Sequence, residues 1–348
     1  MVDVNVSPQE IAKAMKLRYV SSDKKGYSRQ KKGKGFIYLD TKEEEIKDPE
    51  ILDHIKGLVI PPAWTDVWIS PYPNGHLQAT GYDVKGRKQY RYHSRWSKVR
   101  NDNKFGRILE FGKKLPALRK QIIKDLRKRT LTREKVIAIA LSVMNETAIR
   151  AGNSAYEKTY GSYGLTTLKN KHVSISGAET FFKFVGKKGV KQQIKFKDKS
   201  LSRLLKNVKE LPGQELFQYY DENGEIKRLD SGDINDYLKT HMHEEFTSKD
   251  FRTWAGCIMA LELMAVTEDF DCDSDCKKNI ISIIDGVAAR LGNTRTVSKK
   301  YYIHPGLITS YEAKKLDKIL KPLKTKELTK EMHVESEKAF LKFLKQLK

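Results

Sequence analysis

Near residue 100 the chain changes pattern, and this change limits its possible folds more than any other feature. Before it, short β-prone runs alternate with turn signals. GFIYLD (Gly35 to Asp40) and VWISP (Val67 to Pro71) have the length and residue types of strands. PYPNGHLQAT, from Pro71 to Thr80, carries an Asn74-Gly75 pair, the strongest short-range hairpin signal. GYDVKGRKQYRYH, from Gly81 to His93, reads as another strand–turn–strand with Lys85-Gly86 at its bend. Residues 1–100 are therefore expected to form a small β-rich domain.

From Asn101 onward apolar residues recur at helical spacing. Phe105 to Arg129 reads as helix despite Pro116, and Thr132 suits the N-cap of the next helix. Val136, Ile139, Ala140 and Val143 place one apolar face on that helix, up to Arg150. Strands return between Leu165 and Lys197 as TTLKNKHVSIS, TFFKFVGKKGV and KQQIKFK, the last two joined by a tight turn at Gly186-Lys187-Lys188-Gly189. Further helices are expected over Leu201–Leu205, Ile234–Leu238, Arg252–Val266, Ile280–Leu291 and Ser336–Leu347. The reading is α+β: the β-rich domain, then a larger, mainly helical domain over residues 101–348 with its own hairpin.

Charge points to the partner. Lys and Arg total 67 against 44 Asp and Glu, a net +23, and the excess recurs in every region rather than in a tail. A generally lysine-rich surface is the plain alternative, but such an excess favours a polyanion, nucleic acid first. No apolar run reaches the ~20 residues of a membrane span. MVDVNVSPQEIAKAM lacks the basic and apolar regions of a secretory leader. Three cysteines, Cys257, Cys272 and Cys276, build no disulfide framework and indicate a reducing compartment. A cytoplasmic monomer is the expectation, nucleoid-associated if the source is bacterial.

Several chemistries fail on spacing. No G-x-x-x-x-G-K-[ST] loop is present, so ATP use is not expected. In EDFDCDSD, an EF-hand count from Asp271 puts Cys276 where glycine is needed and Ser282 where the bidentate glutamate belongs. An acidic loop leading into a helix N-terminus accounts for that run. Cys272 and Cys276 lack a second ligand pair for zinc. No cofactor and no metal site are expected. Phosphate chemistry would then draw its positive charge from Arg and Lys.

Read in order, Arg150 in AIRAGN, Lys187 in KFVGKKG, Arg252 in KDFRTW and Tyr302 in SKKYY resemble the catalytic set of type IB DNA topoisomerases, the compact poxvirus-type and bacterial branch above all. GLTTLKNKHV, LGNT and KGRKQYRYH support the resemblance, which covers roughly residues 20 to 310. It implies a clamp around duplex DNA, whose supercoils relax by transient cleavage of one strand. A tyrosine attacks a backbone phosphodiester, leaving a 3′-phosphotyrosyl bond and a free 5′-hydroxyl. The strand rotates, and the 5′-hydroxyl reseals it. The covalent bond conserves the phosphodiester energy, so neither ATP nor an obligatory metal is implied.

The resemblance also implies residue roles. The S-K-x-x-Y spacing selects Tyr302 as nucleophile over Tyr301. Arg150 and Arg252 would hold the scissile phosphate and its pentacoordinate transition state. Lys187, favoured over Lys183 and Lys188 by F-V-G-K, would protonate the departing 5′-oxygen. Lys249 would be a secondary phosphate contact. Asn293 departs from the pattern: it stands nine residues before the nucleophile, where many members have a histidine. Its amide is still a donor, without imidazolium charge. Lys85, Arg87, Tyr90 and Tyr92 follow a K-x-R-x-x-Y-x-Y pattern for groove and phosphate contacts, and Tyr156 matches a DNA-contacting tyrosine more loosely. On a strand Tyr90 and Tyr92 share one face; a half-buried aromatic pair is the plainer account. A tyrosine recombinase shares this chemistry but usually has H-x-x-R before the second arginine, and Lys249 occupies that histidine position. A non-catalytic architectural DNA-binding protein is the other alternative.

Overall fold

A computed structural model of the chain describes residues 8–33, 35–84, 88–96, 105, 107–244, 246–324 and 330–347. The chain falls into two units, Met1–Arg107 and Ile108–Lys348.

The first unit builds one antiparallel sheet, ordered β2-β1-β3-β4-β5. Its strands are β1 (Tyr27–Lys32), β2 (Gly35–Leu39), β3 (Thr65–Ile69), β4 (Leu77–Tyr82) and β5 (Lys88–Tyr92). Val67, Ile69 and Ala79 point from the central strands into a core with Ile46 and Ile55. Ile55 belongs to α2 (Pro49–Gly57), which lay within the stretch read as β-rich, as did α1 (Pro8–Ala14). The signal for α2 was local: Pro49 opens it, and the Asp48 carboxylate accepts from the Glu50 and Ile51 amides. β1, YSRQKK, is too polar to read as a strand; it is held by pairing with both β2 and β3.

The hairpin at Asn74-Gly75 is a β3–β4 pair, with a longer connection than that dipeptide suggests. The turn is Tyr72 to Gly75, closed by the Gly75 amide on the Tyr72 carbonyl at 2.8 Å. The Gln78 side chain lies beneath it, donating to the carbonyls of Pro73 and Gly75. These bonds within the loop hold the longer connection in place of a two-residue turn. The Lys85-Gly86 bend lies outside the described residues, although β4 and β5 pair as expected.

In the second unit, α3 (Ile108–Leu126) runs through Pro116 and packs on α4 (Arg133–Thr147). Thr132 caps α4 through its hydroxyl, as its position suggested. The one-sided apolar face expected for α4 is too narrow, because every residue from Lys135 to Leu141 is buried. Val-Ile-Ala-Ile-Ala-Leu is apolar all round, which marks a central helix. The short α5 (Ser154–Tyr160) follows. TTLKNKHV is not strand: it forms two single-turn helices, Leu165–Thr167 and Asn170–His172, before β6 (Val173–Ser176). The Thr167 hydroxyl and the His172 ring, which accept from the Gly164 and Lys169 amides, hold these turns.

β7 (Glu179–Val185) and β8 (Lys191–Lys197) then form the expected hairpin, with Lys187–Gly189 at its tip. After α6 (Lys199–Lys209) comes a small ribbon of β9 (Gln218–Tyr220) and β10 (Ile226–Arg228), and then α7 (Ser231–Met242). α8 (Ser248–Val266) and α9 (Asp273–Leu291) pack together, and both begin earlier than periodicity suggested. α9 takes in Asp273 and Asp275, so the acidic run is its N-terminal turn. α10 (Arg295–Tyr301), α11 (Pro305–Glu312) and α12 (Asp317–Leu320) follow.

α13 (Lys330–Gln346) packs against α8. Trp254 of α8 donates to the buried Glu337 at 2.8 Å, and Arg119 of α3 forks onto the same carboxylate at 2.6 and 2.8 Å. The basic C-terminal stretch thus packs on the second unit through α13. Among the described residues no helix is long and apolar enough to cross a membrane.

Candidate active site

α4 ends at Thr147, with Ala148 in the left-handed region (φ 51°). α9 ends at Leu291, with Gly292 left-handed in the same way (φ 58°). Both helices therefore present unpaired carbonyls at their negative ends, and two arginines use them. Arg252, 4% exposed on α8, donates to the Ala148 carbonyl and, at 2.7 Å, to that of Leu291. Arg150 donates to the Gly292 carbonyl at 3.4 Å and to the Asn293 side-chain oxygen. The Arg150 backbone is tied down by its carbonyl, which accepts the Leu165 amide at 2.7 Å. Gly164 makes that approach possible, since a Cβ there would lie 2.6 Å from the Arg150 oxygen.

Burial pushes both guanidiniums down. Arg252 falls to about 10, through burial first and the neighbouring Arg150 second, with Tyr302 pulling the other way. That is still far above neutrality, so two like charges are held side by side in a poorly solvated place. Helix-end carbonyls offset part of the cost, and an added anion would offset more. Three buried donors make no hydrogen bond among the described residues: Arg252 Nε, Asn293 Nδ2 and Ser298 Oγ. Groups of this kind are rarely left unsatisfied, and each costs about 1–3 kcal/mol.

Tyr302 lies beside this cluster. It is 9% exposed, and the Arg252 guanidinium carbon is 5.3 Å from its ring centroid. Local chemistry sets its place: Thr294 caps α10, and Tyr302 ends that helix with its amide on the Ser298 carbonyl at 3.0 Å. Its own carbonyl accepts from Cys257 of α8 at 3.4 Å. The S-K-K-Y-Y stretch shows no apolar period because α10 is only seven residues long. Tyr301 is half-buried, with Lys300 Nζ 5.5 Å from its ring.

Lys187 is exposed at the hairpin tip, and its ammonium is 6.0 Å from the Tyr156 ring. It lines one hollow together with Arg150, Arg252, Gln192 and Arg290. Gln192 and Arg290 were not legible as site residues. Gln192 sits in an ordinary strand alternation, and Arg290 is one basic residue among many. Lys249 is exposed on the first turn of α8. In the first unit, Tyr90 (48% exposed) and Tyr92 stack with centroids 6.0 Å apart and planes 10° apart. Tyr92 packs on a cluster of Ala12, Leu17 and Trp96, so the pair is half core and half surface. Lys85 and Arg87 lie outside the described residues. Among the described residues no three His, Cys, Asp or Glu side chains gather where they could hold a metal ion.

Buried cations with spare donors beside a phenol are the equipment of a site that handles a phosphate-like anion. The comparisons agree in kind. The catalytic core of eukaryotic DNA topoisomerase I matches residues 93–331, and the N-terminal domain of bacterial DNA topoisomerase IB matches residues 35–83. DNA topoisomerase 1B of Acanthamoeba polyphaga mimivirus is 34% identical over 285 residues, covering 80% of this chain and 85% of the viral one. DNA topoisomerase 1B of vaccinia virus (strain Western Reserve) is 33% identical over 153 residues, 41% of this chain and 46% of its own. DNA topoisomerase 1 of Rabbit fibroma virus (strain Kasza) is 25% identical over 295 residues, 78% and 87% of the two chains. The chain belongs to the type IB DNA topoisomerase family.

Proposed function

We propose that this protein relaxes supercoiled duplex DNA by cutting and resealing one strand through Tyr302. The observation that carries the reading is the convergence of Arg150, Arg252 and Asn293 beside Tyr302, with donors to spare. In the cleavage step the Tyr302 oxygen bonds to phosphorus and its proton passes to solvent. The bond from phosphorus to the 5′-oxygen breaks, and that oxygen takes a proton from the Lys187 ammonium. Arg252 Nε, the far edge of Arg150 and Asn293 Nδ2 bind the non-bridging oxygens, where negative charge grows in the pentacoordinate transition state. Resealing runs the same path backwards, with the 5′-hydroxyl as nucleophile and Lys187 as base. The phosphotyrosyl bond retains the energy of the one it replaced, so nucleotide hydrolysis is not required.

In this reading the two units close around the duplex as a clamp, and Tyr90 and Tyr92 face the groove with Lys85 and Arg87. Tyr156 and Lys249 contact phosphates. The protein works as a monomer in the cytoplasm, without a metal. Supercoiled plasmid lacking any special site, incubated with the protein in EDTA, tests the activity. A ladder of relaxed topoisomers is expected, and its absence would count against this reading and for a recombinase. Tyr302→Phe should abolish the covalent adduct while Tyr301→Phe leaves much of it. An adduct surviving in Tyr302→Phe would overturn the nucleophile assignment.

A further inference from the structure

We propose that Gln192 is a positioning residue for Lys187, wedging the hairpin tip against the corner that carries Arg150 and Asn293. The proposal rests on Lys187 being the proton donor in the reading above.

The inward face of the hairpin is apolar along most of its length. Phe182 and Phe184 occupy it on β7, Ile194 and Phe196 on β8, and Phe184 pairs directly across from Gln192. Gln192 is the position on β8 where that face leaves the core and meets the hollow shared by Lys187, Arg150 and Arg252. Apolar burial therefore does not explain a glutamine there. Its amide also makes no hydrogen bond among the described residues that would make it a structural cross-link.

Its contacts do suggest a role. A Cβ placed on Gly292 would lie 2.7 Å from Gln192 Oε1 and 2.9 Å from its Cδ, so the amide rests against the bare Cα of Gly292. A Cβ on Gly186 would lie 3.1 Å from Gln192 Cγ. One side chain thus touches the residue before Lys187 and the residue before Asn293, and Arg150 binds the carbonyl of the latter. The tip is a tight turn. It closes on the Gly186 amide to Val190 carbonyl bond at 2.8 Å and turns through left-handed Lys188 (φ 63°) and Gly189 (φ 77°). The Tyr163 amide on the Val185 carbonyl, at 2.8 Å, fixes the strand below the tip. Removing the wedge would let Lys187 move relative to the phosphate while Arg150, Arg252 and Tyr302 stay in place. A displacement of about 1 Å is enough to cost a reacting group much of its effect.

The test compares an ordinary phosphodiester with a 5′-bridging phosphorothiolate in single-turnover cleavage of a short duplex. Sulfur leaves as a thiolate, whose conjugate acid has a pKa near ~8.5, and so needs no proton donor. On the oxygen substrate Lys187→Ala should lose about 10²–10⁴-fold. Gln192→Ala should lose at least about tenfold, and no more than Lys187→Ala. On the sulfur substrate both should cleave within about threefold of the parent, and Lys187→Ala/Gln192→Ala should be no slower than Lys187→Ala on oxygen. Gln192→Met, which keeps the length and loses the amide, should stay within about threefold of the parent on oxygen, because the contact is steric.

Equal slowing of Gln192→Ala on both substrates, or none on either, would overturn the proposal while leaving Lys187 as the donor. A tenfold loss in Gln192→Met would also overturn it, by placing the effect in the amide. If sulfur fails to restore Lys187→Ala, the donor assignment itself is wrong and the proposal falls with it.

Discussion

Gly256→Ala probes how Tyr302 is held. α8 passes so close to the end of α10 that a Cβ on Gly256 would lie 2.5 Å from the Tyr302 carbonyl oxygen and 3.0 Å from its Cβ. Ordinary contact begins near 3.4 Å, so the Tyr302 backbone must retreat by about 0.9 Å or α8 must shift with Arg252 on it. Either movement changes the distance between nucleophile and guanidinium. Misplacement on this scale is expected to slow single-turnover cleavage by about 10²-fold. Stability should change far less. Overpacking costs about 1–3 kcal/mol, and replacing a helical glycine by alanine returns about 1 kcal/mol. The melting temperature should therefore fall by only a few degrees, and affinity for uncut duplex should hold within about threefold. Gly286→Ala on α9 is the control. Its Cβ would meet Leu263 Cδ1 at 2.7 Å, the end of a side chain that can turn away, and no part of the site. Cleavage by folded Gly256→Ala within threefold of the parent would refute the reasoning, and so would an equal loss in Gly286→Ala.

Two further outcomes follow from the same geometry. Asn293→Asp keeps the acceptor for Arg150 but replaces the unpartnered Nδ2 donor with a negative oxygen facing the phosphate. Cleavage should drop by about 10²-fold or more without loss of melting temperature, and an active variant would remove Asn293 from the transition state. His304, two residues beyond Tyr302, caps α11 with Nδ1 accepting the Gly306 amide at 3.0 Å, and burial pushes its imidazole down to about 4. Its ordinary value is 6.5, so the unfolded chain binds the proton more readily. Stability is therefore lost as pH falls from about 6.5 toward 4, by up to about 3 kcal/mol. His304→Asn, which caps without titrating, should flatten the melting-temperature profile over that range relative to the parent. An unchanged slope would show that His304 does not titrate there.

What could be read from the sequence was local. Thr132 is a short-range device, legible because capping acts within a few residues; the Asp48-Pro49 cap of α2 is as local, but it lay in a stretch read as β-rich. Also legible was the Lys187 hairpin, whose strands pair with their immediate neighbour in the chain. The sequence pattern shows only one apolar face of the buried α4, since whether an apolar helix is covered on one face or all faces depends on what packs around it. β1 was invisible for the same reason: its six polar residues become a strand only between β2 and β3.

At the site the division is similar. Resemblance of the ordered motifs to the type IB family marked Arg150, Lys187, Arg252, Asn293 and Tyr302, and the charge balance alone pointed to a polyanion. The tertiary structure decided that α4 and α9 end together, so that Arg252 takes a carbonyl from each, 104 and 39 residues away in sequence. It also decided that Gln192 meets both Gly186 and Gly292. Neither could be read from the chain, because contacts between distant segments depend on how helices and strands pack, and packing leaves no period in the sequence.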